Sequence, residues 1–285
     1  MGVIAGLLSM LFWGTAIFLS AFATRKVGNV LTLLWMQIFG FLIALIYFLF
    51  TFNSFSLNFT LTQLLTLLAI AILQLIAYLA FYKGLEKGEV SLVSPIAATW
   101  GLIVTGLGLI FLNEVLNSLQ ILAIVLIISG VLLLSTNIKA LFTLKKVNLT
   151  VGVKEGIIAM LGWGISLFLL AIISKELGWF LPTLIFRFFV LVMLSVYILS
   201  TTKSFRPTKK GFPLVLVGVG IFDVAGFFAY SLGTASSNAS LVAPIGSAFA
   251  LVSVILAVIF LKEKLTLQKS FGIISIALGL VLLSI

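Results

Sequence analysis

The 285 residues contain no cysteine and no histidine, and only seven are acidic. Without cysteine there is no disulfide and no thiol nucleophile, and the redox compartment is unreadable. Without histidine the commonest zinc ligand and the usual imidazole base are missing as well. Charge is scarce altogether: 8% of the residues are charged, where soluble domains carry about a quarter. Apolar residues take their place, 62% of the chain, with a mean hydropathy of +1.36. That excludes a soluble globular domain and predicts a membrane protein.

A spanning helix needs about 20 mostly apolar residues to cross a hydrocarbon core of about 30 Å. Ten such runs lie between polar breaks: roughly 2–22, 29–50, 62–82, 91–112, 118–136, 154–173, 180–200, 212–232, 238–260 and 268–284. They are too long for barrel strands, which alternate over about ten residues. The predicted class is therefore an all-α polytopic membrane protein with ten transmembrane helices. The first run has no basic region before it and no small-residue cleavage site, so it reads as a retained helix. No soluble domain is left over.

The chain repeats itself. SLVSPIAATWGLIVTGLGLIFLNE (91–114) returns as SLVAPIGSAFALVSVILAVIFLKE (240–263), and FWGTAIFLSAFATRKVGNVL (12–31) as GWGISLFLLAIISKELGWFL (162–181). Two long ungapped matches at nearly equal offset, sharing Trp, Pro and Glu, point to duplication rather than to a chance likeness of leucine-rich helices. Repeat one is 1–137 and repeat two 154–285, with the basic segment 138–153 between them.

Five runs per repeat is an odd number, so the second copy is expected to enter the membrane from the opposite side. The charges agree. Fifteen of the seventeen basic residues fall in odd-numbered connections: Arg25, Lys26, Lys83, Lys87, Lys139, Lys145, Lys146, Lys154, Lys203, Arg206, Lys209, Lys210, Lys262, Lys264 and Lys269. The even-numbered connections hold one, Lys175. A net charge of +10 would suggest nucleic acid in a soluble protein, but here it marks orientation beside anionic lipid, so the expected partner is the bilayer and not nucleic acid. The positive-inside rule makes the odd connections cytoplasmic and puts both chain ends outside the plasma membrane. Two inverted five-helix repeats suit a transporter, because pseudo-symmetric halves can expose one midplane site to either side in turn.

Several short motifs resemble a known group. The FWG at 12–14, the RFF at 187–189, the two S-L-V-x-P segments and the two F-L-x-E closings resemble the drug/metabolite transporter superfamily, specifically its ten-helix EamA-type members. The resemblance covers essentially the whole chain. It implies transport but no one substrate, because members move amino acids, sugars, nucleotide sugars, choline and other cations, drugs and lipid-linked groups. Many members are drawn with both ends in the cytoplasm, whereas the loop charges here argue the reverse.

Four charged residues sit within or at the edges of the runs: Arg187, Asp223, Glu114 and Glu263. Asp223 lies near the middle of run eight, where a carboxylate costs roughly 2.5 to 3.5 kcal/mol and usually faces a cavity or a partner. Two readings stand: a proton-coupling or cation-anchoring group, or a structural partner for Arg187. Arg187 falls seven residues into run seven, opposite Gln37 in the other repeat. It either snorkels to the interface or binds a carboxylate, and the resemblance implies a structural or gating role.

Asp223, Phe227 and Tyr230 share one helical face, and Gln74, Tyr78 and Phe81 share the equivalent face of run three. A polar group followed by two aromatics in both copies suggests the walls of a shared cavity, with plain packing as the alternative. Tyr82 joins the candidate set, as do Trp13 and Trp163 in mid-run, away from the interfacial belts, and Trp100, whose counterpart is Phe249. Pro95 and Pro244 are expected in first turns or mild kinks, with Ser91, Ser94, Ser236, Ser237, Asn238 and Ser240 as cap residues. Glu114 and Glu263 are expected to cap runs five and ten or to pair with Lys262 or Lys264. Gly106, Gly108, Gly218, Gly220, Gly272 and Gly279 are expected to allow close helix contact.

The predicted function is a secondary active transporter that moves a small metabolite by alternating access, coupled to protons through Asp223. An amino acid or amine-like solute is favoured because a buried carboxylate suits a cationic group. A sugar or drug transporter of the same fold, a lipid-carrier flippase and a structural membrane subunit are the alternatives, and the protein is a monomer or a homodimer. An intramembrane enzyme would need paired acids, zinc ligands or an activated nucleophile, and the chain lacks the parts. No catalytic residue, cofactor or metal is expected.

Overall fold

The computed structural model describes residues 1–87, 93, 96–135, 152–201, 214–262 and 265–284. Every described element is helical. Helices α1 (Gly2–Val27), α2 (Asn29–Phe50), α3 (Leu61–Lys87), α4 (Trp100–Phe111) and α5 (Ser118–Ser135) form the first half. Helices α6 (Val153–Leu177), α7 (Leu181–Thr201), α8 (Val215–Ser236), α9 (Ala239–Ser247), α10 (Phe249–Leu261) and α11 (Leu267–Ser284) form the second. Six helices, and α9 with α10 taken together over Ala239–Leu261 as a seventh span, are long and apolar enough to cross a membrane by length and composition, and three apolar helices, Ile96–Phe111, Ser118–Leu134 and Leu267–Leu283, are shorter. The chain is a multi-pass membrane protein, and each of the ten apolar runs carries helix. Most of the segment 138–153 lies outside the described residues.

Equivalent positions do equivalent backbone work. Gly28 (φ 83°) joins α1 to α2, and Gly178 (φ 78°), 150 residues on, joins α6 to α7. No atom would touch a Cβ at either site, so it is the left-handed backbone and not crowding that calls for glycine. Asn113 and Lys262, equivalent positions at φ 51° and 54°, follow α4 and α10 with positive φ as well.

The predicted ninth run is not one helix. It breaks at Ala248, whose N–H reaches back only three residues to the Ile245 carbonyl at 3.1 Å. Run four turns identically at Thr99, which donates to the Ile96 carbonyl at 3.2 Å. Pro244 lies inside α9, not in its first turn as the sequence suggests. Its missing N–H leaves the Ser240 carbonyl without its helical donor, and Thr105 Oγ1 on α4 lies 3.2 Å from that oxygen. Pro95 lies outside the described residues.

The largest helix contacts all join one half to the other. Helix α1 rests on α8, α9 and α10, as α6 rests on α3 and α4; α2 meets α8 as α7 meets α3; α2–α7 and α5–α11 pair equivalent elements, and α4 packs on α9. The close approaches repeat as well. A Cβ on Gly14 would meet Val252 at 2.5 Å, and one on Gly164 would meet the equivalent Ile103 at 2.5 Å. Gly130 and Gly279 seat α5 against α11, where Gly272 also leaves no room. Gly108 and Gly220 are likewise crowded, and a Cβ at Gly218 would meet only the tip of Leu19. Gly106 departs from expectation, since its Cβ would touch nothing.

Candidate functional site

Arg187 projects from α7 into the protein interior and is fully buried. Its Nη2 donates to Asp223 Oδ2 on α8 at 2.7 Å, its Nη1 donates to Gln37 Oε1 on α2 at 2.8 Å, and its guanidinium carbon lies 5.2 Å from the Phe227 ring centre. Snorkelling to the interface is therefore overturned: the stem is too deep, and two acceptors and an aromatic face hold the head inside. Asp223 is 4% exposed. Gly40 makes room for the head, because a Cβ there would sit 2.7 Å from Arg187 Nη1. The arginine and the carboxylate face each other, the pairing that was one of two sequence readings. A buried charge pair with these bonds repays part of its desolvation, and removing one partner typically costs about 3–5 kcal/mol.

The aromatic residues form two matching clusters. Trp13 on α1 meets Phe227 at 5.1 Å and Tyr230 at 5.7 Å between ring centres. Trp163 on α6 meets Tyr78 at 5.4 Å and Phe81 at 5.2 Å. Each tryptophan thus sits on the polar–aromatic face predicted for the opposite half. Trp100 extends the first cluster, edge-on to Trp13 at 5.8 Å and to Tyr230 at 6.1 Å. The Tyr230 hydroxyl donates to the Leu167 carbonyl at 3.2 Å, which ties α8 to α6. Tyr82 stays near Phe81, 6.0 Å between centres, and packs against the buried cluster that includes Leu33, Met36 and Leu194. Gly226 admits Trp13, since a Cβ there would fall 2.5 Å from its Cδ1.

Gln74 is the odd member. It stands where Asp223 stands in the other half, is 1% exposed, and neither its Oε1 nor its Nε2 has a partner. Arg187 Nε is unpartnered too. Buried polar atoms without partners are costly in a protein interior, so these are the positions at which a polar ligand has something to bond. Tyr78, one turn from Gln74, lies within electrostatic reach of Asp223 and Arg187.

Glu114 does not cap run five. Its carboxylate crosses to the start of α9, accepting the Ala239 N–H on Oε1 and the Ser240 N–H on Oε2, each at 2.8 Å. Lys175 Nζ is 3.8 Å from Oε1. Asn238, the N-cap residue, makes no side-chain cap bond, and Ser236 turns back to the Leu232 carbonyl. The cap arrives from 125 residues away, which no local pattern announces. Glu263, Lys264, Ser91 and Ser94 lie outside the described residues.

Two surface hollows stand apart from these residues. One of about 250 Å³ is walled by Phe41, Phe48, Leu181, Phe188 and other apolar side chains between α2 and α7. The other, about 610 Å³, runs along α5 and α11 past Gln268 and Ser275. Among the described residues no group of three acidic side chains gathers that could hold a metal.

The EamA-like transporter family matches residues 1–136 and, a second time, residues 150–285. An uncharacterized protein of Methanocaldococcus jannaschii is 34% identical over 134 residues, which take up 47% of this chain and 95% of that one; that relative has roughly the length of a single repeat. A solved crystal structure of a protein superposes with a TM-score of 0.79 at 16% identity, covering 100% of this chain and 98% of the other. At that identity the likeness concerns the fold.

Proposed function

Because the chain belongs to the EamA-like transporter family, we propose that it is a secondary active transporter that carries a small metabolite by alternating access, with an amino acid or similar amine as substrate and protons as the coupling ion. The observation that carries this reading is the Arg187–Asp223 pair at 2.7 Å, buried in the protein interior, to which the unpartnered amide of Gln74 on α3 adds a second buried polar group. An amino acid zwitterion presents the same two charges in a small frame. Its carboxylate competes for the guanidinium and its ammonium for Asp223, so substrate replaces one charge pairing with two and leaves no ion stranded. Gln74, Tyr78, Tyr82 and the tryptophans Trp13, Trp100 and Trp163 would then bound the remainder of the substrate. A proton on Asp223 would loosen its hold on Arg187, which gives coupling a route through one residue.

In this reading residues 1–137 and 154–285 are inverted repeats, joined by a cytoplasmic connection at 138–153. The odd-numbered connections face the cytoplasm and both ends face outward.

The test is a thermal-shift screen of the purified protein against amino acids, amines, sugars and nucleotides, since a ligand bound only by the folded state raises Tm. Amino acids or amines are expected to stabilise it. Stabilisation by sugars or nucleotides alone would replace the substrate class, and no shift with any of them would favour a lipid-linked substrate.

A further inference from the structure

We propose that Glu114 is a latch that holds one end of the bundle shut, and that transport requires its release; the second half of the statement rests on the transporter reading, the first does not. Glu114 leaves α4 just after the left-handed Asn113 and folds back over Gly108, where a Cβ would fall 2.7 Å from its Oε2. Its side chain is 4% exposed. One carboxylate therefore joins the two halves: carried at the end of α4, it binds the first two N–H groups of α9 and Lys175 at the end of α6.

The source of the cap is what makes it a latch. A helix capped by its own Asn238 would keep that cap wherever it moved. Here the cap belongs to α4, so α9 is finished only while α4 stays beside it. Parting the two strips a buried carboxylate of two charge-assisted bonds and leaves two helix N–H groups bare, so intermediate separations are disfavoured and the contact behaves as closed or open. Just inside the latch the same helices touch again through Thr105 and the Ser240 carbonyl. Gln63 on α3 donates to Glu176 on α6 at 3.0 Å, a cross-half bond of the same kind beside the partner lysine's helix end. Inward of this layer stand Tyr230, Trp100 and Trp13, then Asp223 and Arg187.

The absence of cysteine from the chain makes the test clean. Thr234 is fully buried near the end of α8, with its hydroxyl bonded only within its own helix, and Ala23 is fully buried near the opposite end of α1. Single T234C and A23C reporters are labelled with a water-soluble maleimide in purified, nanodisc-reconstituted protein, without substrate. E114Q, which keeps an acceptor oxygen but loses the charge, is expected to speed labelling at position 234 by about tenfold and to slow it at position 23, as a shift between two states requires. K175M, which keeps the cap and loses the ion pair, is expected to do the same more weakly, and it serves if E114Q does not fold. Unchanged rates at position 234 in both variants would overturn the latch. Faster labelling without any measurable uptake would keep the latch and sink the transporter reading, while lost uptake with unchanged labelling would do the reverse.

Discussion

Arg187 donates to Gln37, the residue that holds its own position in the other half of the chain, 150 residues earlier. Two side chains at equivalent positions of the two family-matched segments meet directly. One copy supplies a cation and the other a neutral acceptor. The neighbouring position diverges in the same sense, with Asp223 in one half and Gln74 in the other. Both charges of the buried pair therefore come from the second half, and the first keeps amides in their places.

The pair should be energetically coupled. Asp223→Leu or Arg187→Leu alone strands an ion and should cost about 3–5 kcal/mol, while the double substitution should recover most of it. Chemical denaturation in detergent reads the cycle; additive single costs would show that the two ions do not depend on each other.

Asp223→Asn keeps an oxygen for Arg187 but cannot exchange a proton. Expression and folding should persist, and uptake driven by a pH gradient in proteoliposomes should fall to background. Undiminished coupling in that variant would remove Asp223 from the mechanism.

Gly40→Ala tests the placement of the guanidinium without touching a charge. The added methyl would meet Nη1 at 2.7 Å and the Gly220 carbonyl at 3.3 Å, so Arg187 must shift off Gln37. Stability should fall by about 1–3 kcal/mol, and substrate affinity should fall with it. Gly226→Ala applies the same pressure to Trp13, and shortening the ring with Trp13→Leu should relieve it, a non-additivity visible in the unfolding midpoints.

Thr105→Val should cost about 1–2 kcal/mol, because the Ser240 carbonyl then loses its donor. In a Pro244→Ala background the cost should shrink, since the restored N–H can reach that carbonyl along the helix. Equal costs in both backgrounds would show that Thr105 serves only its own Gly101 carbonyl, 2.9 Å away.

Much of the fold was legible because a bilayer admits few solutions. Apolar runs of spanning length must be helices, and Gly28 and Gly178 recur at one offset because both junctions need the same left-handed turn. The matched polar–aromatic faces of Asp223 and Gln74 were legible too, since helical spacing puts i, i+4 and i+7 on one side. The aim of those faces was not: each packs on a tryptophan from the opposite half, a choice made by which helices lie adjacent. Gln37 was legible as the counterpart of Arg187, but not as its hydrogen-bond acceptor, because that contact depends on α2 and α7 lying adjacent.

Composition and repetition, which are local and additive along the chain, by themselves determined a duplicated helical membrane protein with one carboxylate and one arginine within the apolar runs of its second half. Only the tertiary structure decided that those two ions neutralise each other, that Pro244 sits within a helix whose freed carbonyl meets Thr105, and that Glu114 finishes a helix 125 residues away. Each of these is a meeting of polar groups distant in sequence. Such meetings depend on helix adjacency, which hydropathy does not encode.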